Sequence, residues 1–144
     1  MKPKVLFLCT GNSCRSQMAE GWGKSLLRDK CEVYSAGTEP HPLNQRAVKA
    51  MNESGVDISN HSSKSVESLK SVPFDLIVSV CDSAAKSCPT PPEGVRIIQA
   101  PFDDPPQLAE NSKTENEAMS HYRRVRDEIK EFVLSLPAIW SENK

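Results

Sequence analysis

Cys9 and Arg15 stand at the two ends of a short polar loop, CTGNSCR, which follows an apolar run and opens a helix-like segment. A strand, a loop of small residues and a helix N-terminus together make an anion cradle. Successive backbone N–H groups point inward, and the helix dipole adds partial positive charge. Gly11 and Asn12 tolerate the positive φ that such a loop requires. Arg15 can grip an oxyanion with two parallel hydrogen bonds. The same field favours the ionised form of a thiol beneath it, so Cys9 is expected as a thiolate, with Ser16 donating its hydroxyl to the sulfur. Thr10, Gly11, Asn12, Ser13, Cys14 and Arg15 would then hold a tetrahedral oxyanion whose central atom Cys9 attacks. The plain alternative is a buried strand-end cysteine beside a solvated arginine. The loop's glycine and asparagine and its direct entry into a helix favour the cradle.

These residues need a frame, and the chain supplies one by alternating strand-like and helix-like segments. Pro3 to Cys9 (PKVLFLC), Cys31 to Ala36, Asp75 to Cys81 and Val95 to Gln99 read as strands. Ser16 to Arg28 carries Met18, Ala19, Trp22, Leu26 and Leu27 at helical spacing. Asn44 is placed to N-cap a helix bearing Ala47, Val48 and Met51, with Gly55 as its C′ residue. Ser65 to Lys70 reads as a shorter helix. The last helix opens on a Thr114–Glu117 capping box, buries Met119, Tyr122, Val125, Ile129, Phe132, Val133 and Leu136, and is expected to stop at Pro137. Such alternation implies an α/β fold, a parallel sheet with helices on both faces. Ligands bind such sheets outside the carboxyl ends of the strands. Cys9, Cys81 and the pair Asp103–Asp104 all fall on that edge. If the first and third strands are neighbours, Cys9 and Cys81 face one crevice.

The chain has 144 residues, 38% apolar and 26% charged, with a net charge of −1. That composition fits one soluble domain spanning 1–144 and argues against nucleic acid or an anionic membrane as partner. No apolar run is long enough to cross a bilayer and no secretory signal is evident, so a cytoplasmic, reducing compartment is expected. In that setting five cysteines point to reactive thiols or a metal rather than a disulfide framework. A zinc site built from Cys9, Cys14, Cys81 and Cys88 lacks the close paired spacing of such sites. No metal or cofactor is expected. Cys14 is read as structural and Cys31 as inert.

The run C-x5-R-S at the end of the first strand resembles the signature of the low-molecular-weight protein tyrosine phosphatase family. The longer string CTGNSCRSQMAEGWG resembles specifically the arsenate reductases built on that fold. The resemblance extends through VYSAG (33–37), DISNHS (57–62), Cys81, Cys88, FDDP (102–105) and RVRDEI (124–129). It implies a four-stranded parallel sheet of order 2-1-3-4 in a monomer. It also implies a three-cysteine relay. Cys9 attacks arsenate, Cys81 attacks Cys9 to release arsenite, and Cys88 attacks Cys81. Thioredoxin then reduces the Cys81–Cys88 disulfide, glutaredoxin with glutathione being the alternative. The intervening DSAAKS is small and polar, suited to unwinding at low cost, and the prolines after Cys88 would confine that movement.

By the same resemblance Asp104 is the general acid and Asp103 braces the loop, although the residues alone leave a swap of roles open. Pro106 stands where the tyrosine phosphatases of the family usually carry a substrate-gripping aromatic residue, which argues against phosphotyrosine as substrate. Asn12, Glu20 and Ser35 match positions that bind potassium in some related reductases. Lys64 replaces a further acidic residue expected there, and its ammonium is a candidate substitute for the ion. Glu20 as an ordinary helix residue is the alternative. His41, His61 and His121 have no metal-binding spacing, and surface or hydrogen-bonding roles are expected for them.

Overall fold

β1 (Lys4–Cys9) occupies the middle of the sheet, and its side chains from Val5 to Cys9 are all buried. Successive side chains of a strand point to opposite faces, so both faces of β1 are covered. Complete burial of side chains such as Leu6, Phe7 and Leu8 contributes roughly 1.5–3 kcal/mol apiece. The computed structural model describes residues 3–69, 71–80 and 95–141. The expectations for Cys81, Cys88 and the segment joining them lie outside these residues.

β1 is flanked by β2 (Glu32–Gly37) and β3 (Leu76–Ser79), and β4 (Arg96–Gln99) pairs with β3. All three pairings are parallel, as the strand–helix alternation implies, and the order is β2-β1-β3-β4, as the family resemblance implies. Cys9 lies opposite Gly37, Leu8 opposite Ser79, and Ser79 opposite Gln99. The carboxyl ends of the strands are therefore level. The chain leaves β1 first toward β2 and later returns to its other side, so the crevice of a topological switch point opens above Cys9.

α1 (Arg15–Leu26) is buried without interruption from Ser16 to Gly23, far more than one apolar stripe would give. Three of these buried residues, Ser16, Gln17 and Glu20, are polar, and they belong to the site described below. α2 (Gln45–Glu53) is capped by Asn44, whose Oδ1 accepts from the Arg46 and Ala47 amides at 2.9 and 3.1 Å. Its C′ residue Gly55 has φ +84°, the left-handed conformation that glycine adopts freely. The segment expected as a short helix after Ser65 is a single 3₁₀ turn, Val66–Leu69.

Two expectations are corrected. The segment carrying Asp103 and Asp104, treated above only as a loop, runs into a short helix, α3 (Pro105–Ala109), because Pro105 at the first helical position has its φ already set. The last helix, α4 (Glu115–Ser141), runs through Pro137 instead of stopping there. Proline's φ is compatible with the helix, so the losses are one amide donor and some crowding of the preceding turn. Leu136, fully buried, keeps that turn seated. The capping box forms in modified register: Glu117 N donates to Thr114 Oγ1 at 3.0 Å, while Glu117 Oε2 accepts from the Lys113 amide, one residue before the cap. The inward stripe of α4 is otherwise as read, with Phe132 half-buried, and it packs against α1, α2 and α3.

Candidate active site

The loop from Cys9 to Arg15 has its carbonyl groups turned outward and bonded. Thr38 N donates to Cys9 O, Glu39 N to Thr10 O, His41 N to Gly11 O and Asn44 N to Ser13 O, at 2.8 to 3.3 Å. Asn12 adopts φ +49°, and its carbonyl accepts from Gln17 Nε2 at 3.0 Å and Ser63 Oγ at 2.8 Å. The C=O and N–H of one peptide plane point in opposite directions, so outward carbonyls turn the following amides inward. The amides of Gly11 to Arg15 donate to no described residue. Cys14, at the N-cap of α1, makes no side-chain cap bond, which leaves the first turn open as well. The result is a ring of unspent donors above the end of β1, with the Cys9 side chain buried beneath it. The approach of this loop to β2 is so close that a Cβ on Gly37 would stand 2.5 Å from Thr10 O. Only glycine fits there.

Arg15 reaches from the loop toward the segment after β4. Its Nη1 donates to Phe102 O at 3.0 Å, and its Nη2 lies 3.7 Å from Asp104 Oδ1. Its Nε is buried without a partner among the described residues. An unsatisfied buried donor costs about 1–3 kcal/mol, which an incoming oxyanion would offset. Asp104 holds the N-cap position of α3 but makes no side-chain bond to that helix, so its carboxylate is left facing Arg15. Asp103 turns the other way, accepting from Arg124 Nη2 at 2.9 Å. The Phe102 ring meets Phe132 of α4 edge-on, with centroids 5.9 Å apart. The two aspartates are therefore sorted by geometry, one toward the cradle and one toward α4.

Beneath the cradle lies a buried polar network that sequence reasoning only half saw. Asn12 Nδ2 donates to Ser16 Oγ and Ser35 Oγ, and Ser35 Oγ donates to Glu20 Oε1 at 2.6 Å. Glu20 Oε2 is 2.7 Å from Lys24 Nζ, and Lys64 Nζ lies 3.8 Å from Glu20 Oε1. Gln17, unremarked in the sequence, is fully buried, and its Oε1 accepts from His61 Nδ1 at 2.9 Å. The available signal was the cluster of polar residues Ser16, Gln17 and Glu20 at the start of α1, with Asn12 in the loop just before it. His41, on the rim, packs its ring against Gly11, where a Cβ would meet Cδ2 at 2.8 Å.

Burial opposes ionisation of Glu20, yet the hydrogen bonds from Lys24 and Ser35 and the charges of Lys64 and His61 outweigh it and hold the carboxyl below its ordinary value. Burial, reinforced by Lys24 and Lys64 and opposed by Glu20, pushes His61 below its usual 6.5. The sign of both effects is the same. In the window between the folded value of His61 and 6.5, the unfolded chain binds a proton that the folded protein resists, so stability falls as pH drops through it. Glu20 adds a second loss at lower pH, as its folded value is crossed. Urea midpoints measured from pH 8 to pH 4 are expected to decline below about 6.5. His61→Gln should flatten the upper part of that decline, and an unchanged slope would assign it to another group. Burial also drives the Cys14 thiol well above its ordinary range, so it stays protonated in this setting. Cys31 is buried at the opposite end of β2 from the cradle.

Comparisons with known proteins agree with this fold. The family described as low molecular weight phosphotyrosine protein phosphatase matches residues 4–139. An arsenate reductase of Bacillus subtilis (strain 168) is 52% identical over 130 residues, covering 90% of this chain and 91% of that protein. A solved arsenate reductase in the phosphate binding state superposes with a TM-score of 0.73 at 34% identity, over 96% of this chain and 98% of that one. A low molecular weight protein tyrosine phosphatase from T. tengcongensis gives a TM-score of 0.72 at 28% identity, over 95% and 99% of the two chains. With its strand order, its cradle and this extent of similarity, the chain belongs to the low molecular weight phosphotyrosine protein phosphatase family.

Proposed function

We propose that this protein reduces arsenate to arsenite. The observation that carries the proposal is a loop that starts at Cys9, whose Gly11 to Arg15 amides donate to no described residue and whose Arg15 Nε has no partner among the described residues, in a chain so similar to arsenate reductases. Cys9 Sγ forms a bond to arsenic(V) as the bond from arsenic to one arsenate hydroxyl breaks, and that hydroxyl, given a proton by Asp104, leaves as water. Cys81 then attacks Cys9 Sγ. The S–As bond breaks with its electron pair moving to arsenic, which departs as arsenite, and a Cys9–Cys81 disulfide remains. Cys88 attacks Cys81, freeing Cys9, and the dithiol of thioredoxin reduces the Cys81–Cys88 disulfide. Two electrons pass from thiols to arsenic in each cycle. The odd, cysteine-rich composition supports this relay over hydrolysis, which needs one thiol only.

In this reading Ser16 donates to Cys9, its oxygen already accepting from Asn12, and Cys14 is a bystander. The oxygens of the Asn12, Glu20 and Ser35 set are taken up by protein donors, and Lys64 brings its ammonium beside Glu20. That set does not fit a potassium ion, and Lys64 supplies the charge instead. The protein works as a cytoplasmic monomer with thioredoxin as partner. Among the described residues no helix is long and apolar enough to cross a membrane.

The test is NADPH oxidation with arsenate, thioredoxin and thioredoxin reductase, run in parallel with glutathione and glutaredoxin. Steady turnover is expected with thioredoxin, and Cys88→Ser should stop after about one cycle, leaving a trapped disulfide. Continued turnover by Cys88→Ser would overturn the relay. A second reading, phosphoester hydrolysis, is favoured by the likeness to the T. tengcongensis phosphatase. Rapid p-nitrophenyl phosphate turnover without arsenate consumption in either reductant system would establish it in place of reduction.

A further inference from the structure

Five peptide planes shape the cradle, and four are fixed by backbone amides of residues 38 to 44. The plane joining Asn12 and Ser13 is different: no described backbone amide donates to Asn12 O, which is held by the side chains of Gln17 and Ser63. Gln17 is fully buried, and its Nε2 serves three acceptors, Asn12 O at 3.0 Å, Asn12 Oδ1 at 3.2 Å and Ser62 O at 3.0 Å. Its Oε1 is occupied by His61 Nδ1, which fixes the amide's orientation. Asn12 itself sits at φ +49°, a conformation that costs a non-glycine residue about 1–2 kcal/mol and so needs support.

We propose that Gln17 is a positioning residue for oxyanion binding: by holding the Asn12 carbonyl outward, it keeps the Ser13 N–H aimed at the bound anion. The inference rests on the oxyanion-binding reading of the loop. Without Gln17 the Asn12–Ser13 plane keeps only the Ser63 hydroxyl, and rotation of the plane would aim a carbonyl oxygen at the anion in place of a donor. An inward donor of this kind is commonly worth about a hundredfold or more in stabilising developing negative charge.

Inorganic phosphate is the probe, titrated by calorimetry well below the melting temperature. Wild-type protein is expected to bind it; failure to bind would sink the oxyanion-binding reading itself. Gln17→Met, similar in volume but without donors, should weaken phosphate binding by about tenfold or more, and the KM for arsenate should rise with it. A purely structural role would lower the melting temperature while leaving the phosphate affinity of the folded protein unchanged, and that result would overturn the proposal. Should Gln17→Met not fold, amide NMR of the wild-type protein decides. The Ser13 amide should shift on phosphate addition together with those of Gly11 and Cys14, and a silent Ser13 amide beside responding neighbours would overturn it.

Discussion

Cys9→Ser is expected to lose arsenate reduction by about 10⁴-fold or more, while keeping wild-type affinity for phosphate. The substitution exchanges sulfur for oxygen at a buried position, so the cradle above it is disturbed little. The chemistry is lost at two points. A hydroxyl does not ionise near neutral pH as a cradle thiol can, so the attack on arsenic fails. A serine oxygen also cannot enter a disulfide, so no electrons reach arsenic even if the first bond forms. Calorimetric phosphate titration beside a stopped assay separates binding from chemistry. Residual steady turnover within tenfold of wild type would remove Cys9 from the role of nucleophile.

Arg15→Lys is expected to reduce kcat/KM by about 10²–10³-fold, the usual loss when a strong donor to a developing oxyanion is removed. Charge is retained, so the result isolates geometry. The guanidinium spans three directions at once: Nη1 to Phe102 O, Nη2 toward Asp104, and Nε with no partner among the described residues. A lysine ammonium has donors at a single point and cannot bridge the acid-bearing segment and the anion together. Both kcat and phosphate affinity should therefore fall, because the anion loses a paired donor and Asp104 loses its neighbour across the cradle. A loss below about tenfold would mean that the amide ring alone carries anion binding.

The strands and the cradle were legible because both are written locally, whereas the sheet order came only with the family resemblance. A continuous apolar run marks a buried strand, and a thiol, small residues and an arginine in one short loop mark an anion site wherever a strand runs into a helix. Asp103 and Asp104 were told apart only through the family resemblance, and the residues alone left a swap open, since it is Arg124, approaching from α4, that turns Asp103 away from the cradle. Gln17 and His61 were missed as a pair because their bond joins a helix to a loop far along the chain. A buried glutamine in the first turn of a helix reads as ordinary solvated polarity until the second segment arrives. The α3 helix and the passage of α4 through Pro137 were misread for a related reason. Proline at a helix start or near its end is permitted by its φ, and packing decides the outcome.

The backbone braces on the cradle have a consequence for which substitutions the protein can accept. Thr38, Glu39, His41 and Asn44 each contribute a main-chain amide. The intervening prolines, Pro40 and Pro42, sit at positions that donate nothing to the loop. The stretch TEPHPLN thus has its imino acids in the gaps between its donors. A proline scan would read this spacing directly: Glu39→Pro removes one brace, and His41→Pro removes one together with the ring that packs against Gly11, whereas other side chains at the same two positions would leave the main-chain bond intact. Variation among relatives should then be broad in side chain at these sites and closed to proline.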